Sequence, residues 1–306
     1  MSGASDFHNR SLKRSKIVYF SGTGGAKRVA DCFEKLLTEK SIEVQKVSLD
    51  MQECKDCGLQ EEEQLADILI LIYAVHALDA PEPVYDWIAG LPYGNGIPVA
   101  VISVSGGGEV WPNSACRVGS IKEFERKGYE VTYERMLVMP SNWIIGINDQ
   151  LGGWLLRVLP LKAECCISDI LSGVRRRTRL HISSWIMTAV LSKQEKKEAK
   201  RFGMDLKIHN SCTGCGWCAK SCPRKNISME NGNPVFGERC IICLRCIYGC
   251  PSKSIYTKKY SFVQVKEGFD LNALEKRMKG VELEPVKKVC KGVLLLGVRK
   301  YLLEKD

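Results

Sequence analysis

The sequence predicts a doubly wound, mostly parallel α/β sheet, followed by a helical segment and a small cysteine-rich α+β domain. Three observations predict this fold class: strand-like apolar runs alternate with helical stretches in the first half, a glycine-rich loop at 21–25 follows the first strand, and eight cysteines cluster within 212–250. Alternating strands and helices favour a parallel sheet with right-handed crossovers. The 306 residues are enough for about two domains.

The elements of the first half follow from short runs of apolar residues. We expect strands at 16–20, 42–49, 67–73, 98–104 and 129–138, and helices at 26–40 and 121–127. The run at 67–73 is almost wholly apolar, as expected of a strand inside a parallel sheet that is covered on both faces. The strand at 98–104 runs into Ser105-Gly106-Gly107-Gly108, which predicts a loop after this strand.

The composition is that of a globular protein, with 45% hydrophobic and 26% charged residues. The longest apolar runs, such as 68–75 and 293–298, are far shorter than the ~20 residues of a membrane-spanning helix. No apolar signal-peptide segment occurs at the start of the sequence. The fifteen cysteines therefore favour metal ligands with some free thiols, because the cytosol keeps thiols reduced. We predict a cytoplasmic protein with no membrane span.

The net charge of +10 is unevenly distributed along the chain. Residues 1–144 contain 15 Lys+Arg and 20 Asp+Glu, a balance of −5, so the remaining residues carry +15. Such a split suggests two modules with different partners. Part of the basic excess offsets any bound anionic metal centre, whose charge belongs in the local balance.

The middle of the chain, 146–204, is predicted to be a helical connector with one apolar face. Its apolar residues recur at helical spacing; they are Leu151, Trp154, Leu155, Val158 and Leu159, then Ile182, Trp185, Ile186 and Val190. A basic cluster between them comprises Arg175, Arg176, Arg177 and Arg179. This cluster is either a solvated face or a docking site for an acidic partner or a phosphate-bearing substrate. It lacks interleaved aromatic residues, and we predict no nucleic-acid partner.

The strongest motif is C-x2-C-x2-C-x3-C-P, which occurs twice. Its cysteines are Cys212, Cys215, Cys218 and Cys222, then Cys240, Cys243, Cys246 and Cys250. In this motif three cysteines bind one [4Fe–4S] cluster and the fourth binds the other cluster. We therefore assign Cys212, Cys215, Cys218 and Cys250 to one cluster, and Cys240, Cys243, Cys246 and Cys222 to the second. The alternative, structural zinc, uses C-x2-C pairs without the third cysteine. Two such clusters would transfer electrons one at a time.

The loop Ser21-Gly22-Thr23-Gly24-Gly25 joins the first strand to a helix. At this junction hydroxyls and free backbone amides meet the positive end of the helix, which favours a phosphate group. The loop lacks the third glycine of a dinucleotide motif, because Lys27 stands there, and it lacks the Gly-Lys-Ser/Thr of a P-loop. A turn without a ligand remains the alternative.

Two parts of the chain resemble known families. The cysteine region resembles bacterial two-cluster ferredoxins, and Tyr19–Gly24 resembles the FMN-phosphate loop of flavodoxins, with a likeness that extends over 15–145. The order of the parts, including the segment Met139–Trp143, resembles the flavodoxin–ferredoxin fusion proteins of anaerobes. This resemblance implies a flavodoxin-like FMN-binding domain at 15–145, the connector at 146–204, a ferredoxin domain at 205–257 and a C-terminal extension at 258–306.

The same resemblance implies which residues hold FMN. Two further loops, Ala74–Pro81 and Ser105–Gly108, would flank the flavin ring. The cofactor-binding residues are then Ser21, Gly22, Thr23, Gly24, Gly25, Ala74, His76, Ser105, Gly106 and Gly107. His76 would contact the ring or be an ordinary loop residue. Ala26 departs from the family, which usually has a hydroxyl there, and its loss would weaken FMN binding by about 1–2 kcal/mol or leave a domain that has lost its flavin.

Other cysteines carry weaker signals. Cys54 and Cys57 could form a redox pair or an extra metal half-site, although two ordinary loop thiols are the expected interpretation because the strand-to-helix setting that activates such thiols is absent. Cys32, Cys116, Cys165, Cys166 and Cys290 are expected to be plain thiols. The last helix, 293–303, is expected to pack onto its own domain rather than lie on a membrane.

Three functions are compatible with these parts. The first is an electron carrier between FMN and two clusters in anaerobic metabolism, with a redox protein as donor or acceptor. The second is an FMN-dependent reductase of a small organic substrate that is fed by its own clusters. The third is a cluster-based sensor or assembly factor. No acid–base pair can be nominated from spacing, and we favour the electron carrier.

Overall fold

The computed structural model describes residues 12–50, 66–76, 78–143, 146–178 and 182–304. Its N-terminal half contains five strands: β1 Arg14–Phe20, β2 Glu43–Ser48, β3 Ile68–Ala74, β4 Pro98–Ser105 and β5 Glu130–Val138. They form one parallel sheet in the order β2-β1-β3-β4-β5. This is the flavodoxin-like order of doubly wound folds, so the predicted fold class is confirmed.

Helices cover both faces of this sheet. They are α1 Gly25–Glu39, α2 Glu82–Gly90, α3 Val118–Arg126 and α4 Asp149–Leu171. Apolar side chains of α1 and α4 form one buried core with one face of the sheet, and those of α2 and α3 form a second core with the other face. Burial on both faces explains the apolar sequence of β3, in which every residue from Ile68 to Tyr73 is buried.

The helix α4 begins the predicted connector and shares the core of the sheet. The side chain of Asn148 accepts a hydrogen bond from the backbone N–H of Leu151 and caps the start of the helix. Leu155 and Leu159 are buried in the core that α4 shares with α1 and the sheet. The connector therefore contributes a covering helix to the N-terminal fold, while the domain boundaries remain predictions.

The basic cluster at 175–177 follows α4 and runs beside the edge strand β5. The backbone N–H of Arg176 donates to Thr132 O (3.0 Å), and the N–H of Glu134 donates to Arg176 O (2.9 Å). Arg175 pairs with Glu130 at 2.6 Å, and Arg177 pairs with Glu125 at 2.9 Å. These arginines are thus partnered along the sheet edge; Arg179 lies outside the described residues.

A long helix, α5 Ile182–Asp205, leads into the small domain. Its elements are β6 Leu206–Ile208, α6 Trp217–Lys220, β7 Ile227–Glu230, β8 Asn233–Phe236, α7 Arg245–Tyr248 and β9 Ile255–Thr257. β6 pairs with β9 and β7 with β8, both antiparallel. Phe202 of α5 is buried in the core of this domain with Leu206 and Ile255, so the end of α5 is anchored there.

The C-terminal extension contains α8 Leu271–Met278, α9 Val286–Val289 and α10 Leu296–Leu303. Leu274 and Met278 pack into the core beside α4. Val298 and Tyr301 of the last helix are buried, whereas Val293 and Leu294 just before it are 87% and 75% exposed. Among the described residues, no helix has the length and apolarity to cross a membrane.

Candidate functional site

The eight motif cysteines surround two separate cavities in the small domain. Cys212, Cys215, Cys218 and Cys250 line the first cavity. Cys222, Cys240, Cys243 and Cys246 line the second. These are the two sets that the motif predicts: the last cysteine of each run lines the cavity formed by the first three cysteines of the other run. We name them the first and second cysteine groups.

The loops around these cavities need residues that tolerate unusual backbone angles. Gly214 and Gly216 have φ of +65° and +71°, and a Cβ at Gly214 would lie 2.6 Å from the carbonyl oxygen of Gly232. Backbone N–H groups donate toward sulfur in both groups. The N–H of Asn226 lies 3.3 Å from Cys222 Sγ, and the N–H of Ser254 lies 3.4 Å from Cys250 Sγ. Such donors tune the potential of a bound cluster.

The cysteines of the second group are half-buried, and desolvation raises the pKa of Cys240 to about 11 and that of Cys243 to about 12. Metal binding must therefore displace their protons. Each cavity is lined by three closely spaced cysteines of one run and by the last cysteine of the other run. This donor set fits a [4Fe–4S] cluster, whereas structural zinc uses C-x2-C pairs without the third cysteine.

A third cavity, of about 570 Å³, lies at the carboxyl ends of β1, β3 and β4. In this fold the crevice between β1 and β3 is where a mononucleotide binds. Nine of the ten predicted cofactor residues line it: Ser21, Gly22, Thr23, Gly25, Ala74, His76, Ser105, Gly106 and Gly107. The tenth, Gly24, lines the neighbouring cleft. We call this space the flavin cavity for the ligand that the sequence predicts.

The loop 21–25, predicted to bind a phosphate, joins β1 to α1 beside the flavin cavity. Gly24 has φ of +98° and precedes the first turn of α1, whose backbone amides point toward the loop because they begin the helix. The N–H of Gly24 donates to Ser21 Oγ (3.1 Å), and Asn142 Nδ2 donates to Thr23 Oγ1 (2.7 Å). Ala26 is fully buried and lines the cavity, so this position is at the cavity wall.

The loop after β4 is held by a buried arginine. Arg117 is fully buried and donates to Glu134 Oε2 (2.7 Å) and Ser103 Oγ (2.8 Å). It also pairs with Glu109, which belongs to the loop itself. Asn113 Nδ2 donates to Ser105 Oγ at 2.8 Å. These bonds fix the loop that forms one side of the flavin cavity.

His76 connects the loop after β3 to the second cysteine group. Its Nδ1–H donates to the carbonyl oxygen of Ile241 at 2.9 Å, since a carbonyl can only accept. Burial lowers the pKa of His76, and the bond to Ile241 offsets part of that decrease. The imidazole is therefore neutral near pH 7. Cys240, Ile241 and Ile242 themselves line the flavin cavity.

Arg245 makes a second connection between the domains, from a position between Cys243 and Cys246. Its guanidinium donates to the carbonyl oxygens of Ser21 (2.8 Å) and Gly22 (3.1 Å) and pairs with Asp50 at 2.7 Å. Burial raises the pKa of Asp50, and the charge of Arg245 opposes that increase. The cysteine loop and the phosphate loop therefore share one buried ion pair.

Gly22 lies directly against the second cysteine group. A Cβ at Gly22 would be 2.5 Å from the carbonyl oxygen of Cys243, which is closer than van der Waals contact allows. Sequence reasoning placed Gly22 and Cys243 in separate domains and missed this contact. The only sequence signal for it was an arginine inside the spacer of a cysteine motif.

Residues that were not predicted to bind the cofactor form the outer walls of the flavin cavity. They are contributed by Glu195, Lys196 and Ala199 of α5, by Leu294 and Leu295 of the extension, and by Trp111 and Trp143. Lys196 Nζ lies 3.5 Å from Asp79, which ties α5 to the loop after β3. Three sections of the chain thus enclose one cavity.

The remaining cysteines lie away from these cavities. Cys116, Cys166 and Cys290 are buried, and Cys32 and Cys165 are half-buried. Burial raises the pKa of both Cys116 and Cys166 to about 11, so these thiols are protonated at neutral pH. Cys54 and Cys57 fall outside the described residues.

Comparisons with known proteins agree with parts of this description. Residues 207–228 match the family described as 4Fe-4S binding domain. No curated protein matches the chain. Structural matches include a flavodoxin from the domain Archaea, with 15% identity, a TM-score of 0.36, and coverage of 51% of this chain and 98% of that one. Flavodoxin from Megasphaera elsdenii is 18% identical with a TM-score of 0.36, and the match covers 50% of this chain and 98% of that one. A cysteine-to-serine mutant of Pseudomonas aeruginosa flavodoxin is 15% identical with a TM-score of 0.39, and the match covers 53% of this chain and 98% of that one. The fold assignment rests on strand order and layers.

Proposed function

We propose that this chain, which joins a flavodoxin-like α/β sheet to a 4Fe-4S binding domain, transfers electrons between two [4Fe–4S] clusters and FMN. The observation that carries this proposal is that Cys240, Ile241 and Ile242 line the flavin cavity. A cluster on the second cysteine group and a flavin beside the phosphate loop would then be neighbours. When bound, clusters exchange single electrons and a flavin exchanges one or two.

Different parts of this chain would bind the clusters, the FMN phosphate and the flavin ring. The two cysteine groups would ligate one cluster each. The amides and hydroxyls of the loop 21–25 would hold the FMN phosphate. The loops 74–81 and 105–108 would flank the ring, with the buried network of Arg117 fixing the second of them.

The relative exposure of the two groups supports an order of transfer. Cys215 of the first group is exposed, whereas the second group is enclosed between its own domain and the phosphate loop. An external protein can approach Cys215 closely, whereas α5 and the C-terminal extension contribute residues to the outer side of the flavin cavity. Electrons from a partner would thus reach the flavin through the first and then the second group.

The experiment that tests this proposal is anaerobic purification followed by iron, sulfide and flavin assays. We expect about eight iron and eight sulfide per chain, as two cubanes require, and one FMN released by acid. A chain with two zinc ions in place of iron would contradict the cluster assignment. Eight iron without flavin, after incubation with excess FMN, would contradict the flavin assignment and leave a ferredoxin domain on a docking domain.

A second function, reduction of a small organic substrate, is favoured by the outer walls of the flavin cavity. Glu195, Lys196 and Leu294 come from α5 and the extension, and Trp111 at the same cavity is 59% exposed. These walls could admit a small molecule while hindering a protein. Turnover of an organic acceptor with dithionite-reduced ferredoxin as donor would support this function. Electron exchange with redox proteins alone would support the carrier.

A further inference from the structure

The first cysteine group lies beside a two-stranded ribbon formed by β6 and β9. Lys207 pairs with Tyr256 in this ribbon, and the ring of His209 stacks on Tyr256 with centroids 4.0 Å apart. The backbone N–H of Cys212 donates to His209 O at 3.0 Å. The end of the ribbon is therefore continuous with the loop that carries Cys212 and the exposed Cys215.

Exposed lysines follow this ribbon. Lys207 lies within β6, Lys253 follows Cys250 and Ser252, which both line the first cavity, and Lys258 directly follows β9. All three lysines are exposed. We name Lys207, Lys253 and Lys258, together with Cys215, the ribbon surface.

The ribbon lysines differ from two arginines of the same domain that are paired across the domain contact. Residues 205–260 contain nine Lys+Arg and three Asp+Glu. Arg224 and Arg245 pair with Asp86 and Asp50 of the N-terminal domain at 2.5 and 2.7 Å. By contrast, Lys207, Lys253 and Lys258 form no ion pair within the part of the chain that the structure describes. Their charge is therefore directed to solvent.

The carboxylate of Asp205 lies at the start of the ribbon and, among the described residues, forms no ion pair with these lysines. Asp205 accepts hydrogen bonds from Thr257 Oγ1 (2.5 Å) and from the backbone N–H of Lys259 (2.8 Å). Glu198 on α5 is paired with Arg201 at 2.5 Å. The three ribbon lysines are thus exposed and without an ion-pair partner among the described residues beside the first cysteine group.

We propose that the ribbon surface docks an acidic protein that carries a one-electron redox centre. This inference rests on the proposed electron-transfer function, because it names the partner of the exposed cluster. A positive patch beside an exposed ligand steers a negatively charged partner and orients it so that the two centres approach closely. The ribbon lysines face solvent beside the first cysteine group, whereas Arg175 and Arg177 at the sheet edge are paired with glutamates.

The test uses the full-length, cofactor-loaded protein and a small acidic bacterial ferredoxin as the probe. The test variant is Lys207→Glu/Lys253→Glu. The matched control is Lys287→Glu/Lys291→Glu, which makes the same change of charge at exposed lysines of the extension. Complex formation is measured by surface plasmon resonance at low and physiological salt, and electron transfer from the reduced probe is measured by stopped-flow absorbance.

We expect the test variant to lose about tenfold or more in affinity and in second-order rate at low salt, and to show a weaker salt dependence. The control should stay within about twofold of the wild type, and both variants should keep the wild-type iron content. The proposal that the ribbon surface docks an acidic redox protein would be overturned by any of three results. These are equal losses of affinity in both variants, unchanged binding in the test variant, or no binding by the wild type. Lysine-dependent binding without flavin reduction would support the surface while contradicting the proposed relay.

Discussion

At the scale of single residues, Arg245 is the side chain that connects the two halves of the candidate site. It lies in the spacer between Cys243 and Cys246 and donates to two carbonyl oxygens of the phosphate loop. It also neutralises the buried Asp50. These contacts hold the carbonyls of Ser21 and Gly22, while the N–H of Ser21 donates to Asp50 Oδ1 at 2.6 Å, so Arg245 and Asp50 together fix the conformation of the loop.

Replacing Arg245 with methionine removes the charge but keeps an extended side chain. We expect FMN affinity to fall at least tenfold, because each hydrogen bond from a charged group is worth about 1.5–3 kcal/mol and Asp50 would be buried without a partner. Fluorescence titration of the flavin-free protein measures this affinity. Arg239→Met, next to Cys240 but bonded through its guanidinium to Lys225 O of its own domain, is the control.

The double variant Arg245→Met/Asp50→Asn separates the two causes of that loss. Removing the unpaired carboxylate should recover part of the affinity, because no buried charge then remains. Unchanged flavin binding in the single variant, with normal iron content, would contradict the role of Arg245.

Ala26 provides a second test at this scale. It is buried at the flavin cavity, and serine adds only a hydroxyl. We expect Ala26→Ser to tighten FMN binding by about threefold to tenfold, since one net hydrogen bond contributes about 1 kcal/mol. The same fluorescence titration checks this value. A loss of affinity would mean that the hydroxyl does not face the phosphate.

At the scale of elements, the strands and α1 could be predicted from the sequence because their apolar runs and turn residues are local signals. The strand expected at 129–138 is β5 Glu130–Val138, and the helix expected at 26–40 is α1 Gly25–Glu39. The helix α2 Glu82–Gly90 was missed, since it is nine residues long and contains Pro83 in its first turn. The cysteine sets also follow from local spacing, although their role as ligands stays a prediction.

The contacts between elements could not be predicted in this way. His76 is hydrogen-bonded to Ile241, 165 residues away in the sequence, and Arg245 is hydrogen-bonded to Ser21, 224 residues away. No periodicity or motif reports such pairs, because they depend on how the domains pack. For the same reason, the role of α5 as a wall of the flavin cavity was not visible from its sequence.

The approach of the phosphate loop to the second cysteine loop is testable with two glycines of the same loop. Gly22→Ala places a methyl group 2.5 Å from Cys243 O, whereas Gly25→Ala meets its nearest neighbour, Met139, at an ordinary 3.6 Å. We expect the first change to destabilise the protein by about 1–3 kcal/mol and to weaken FMN binding. The second should leave the stability of the flavin-free protein unchanged, because its nearest contact is at an ordinary distance.

Thermal unfolding of the flavin-free proteins, combined with FMN titration, compares the two glycine variants. Neither position needs a left-handed backbone, so backbone strain does not confound the comparison. Equal stability and equal FMN affinity in the two variants would contradict a close contact between the loops.

At the scale of the whole molecule, the chain places a cofactor cavity between a parallel sheet and a cysteine-rich domain. Cys215 of the first cysteine group is exposed, and Cys240 of the second lines the flavin cavity. The central claim is that electrons reach the flavin through the second group. The sequence predicted both modules, and their contact supplies the reason to expect an internal transfer.

The most direct test is stopped-flow reduction by dithionite of the wild type and of Cys243→Ala, with cluster and flavin absorbance followed together under anaerobic conditions. Iron and FMN assays first establish that the variant lacks the second cluster and keeps its flavin. We predict that flavin reduction slows at least tenfold in the variant while the first cluster is reduced at the wild-type rate. Flavin reduction at the wild-type rate without the second cluster would contradict the account.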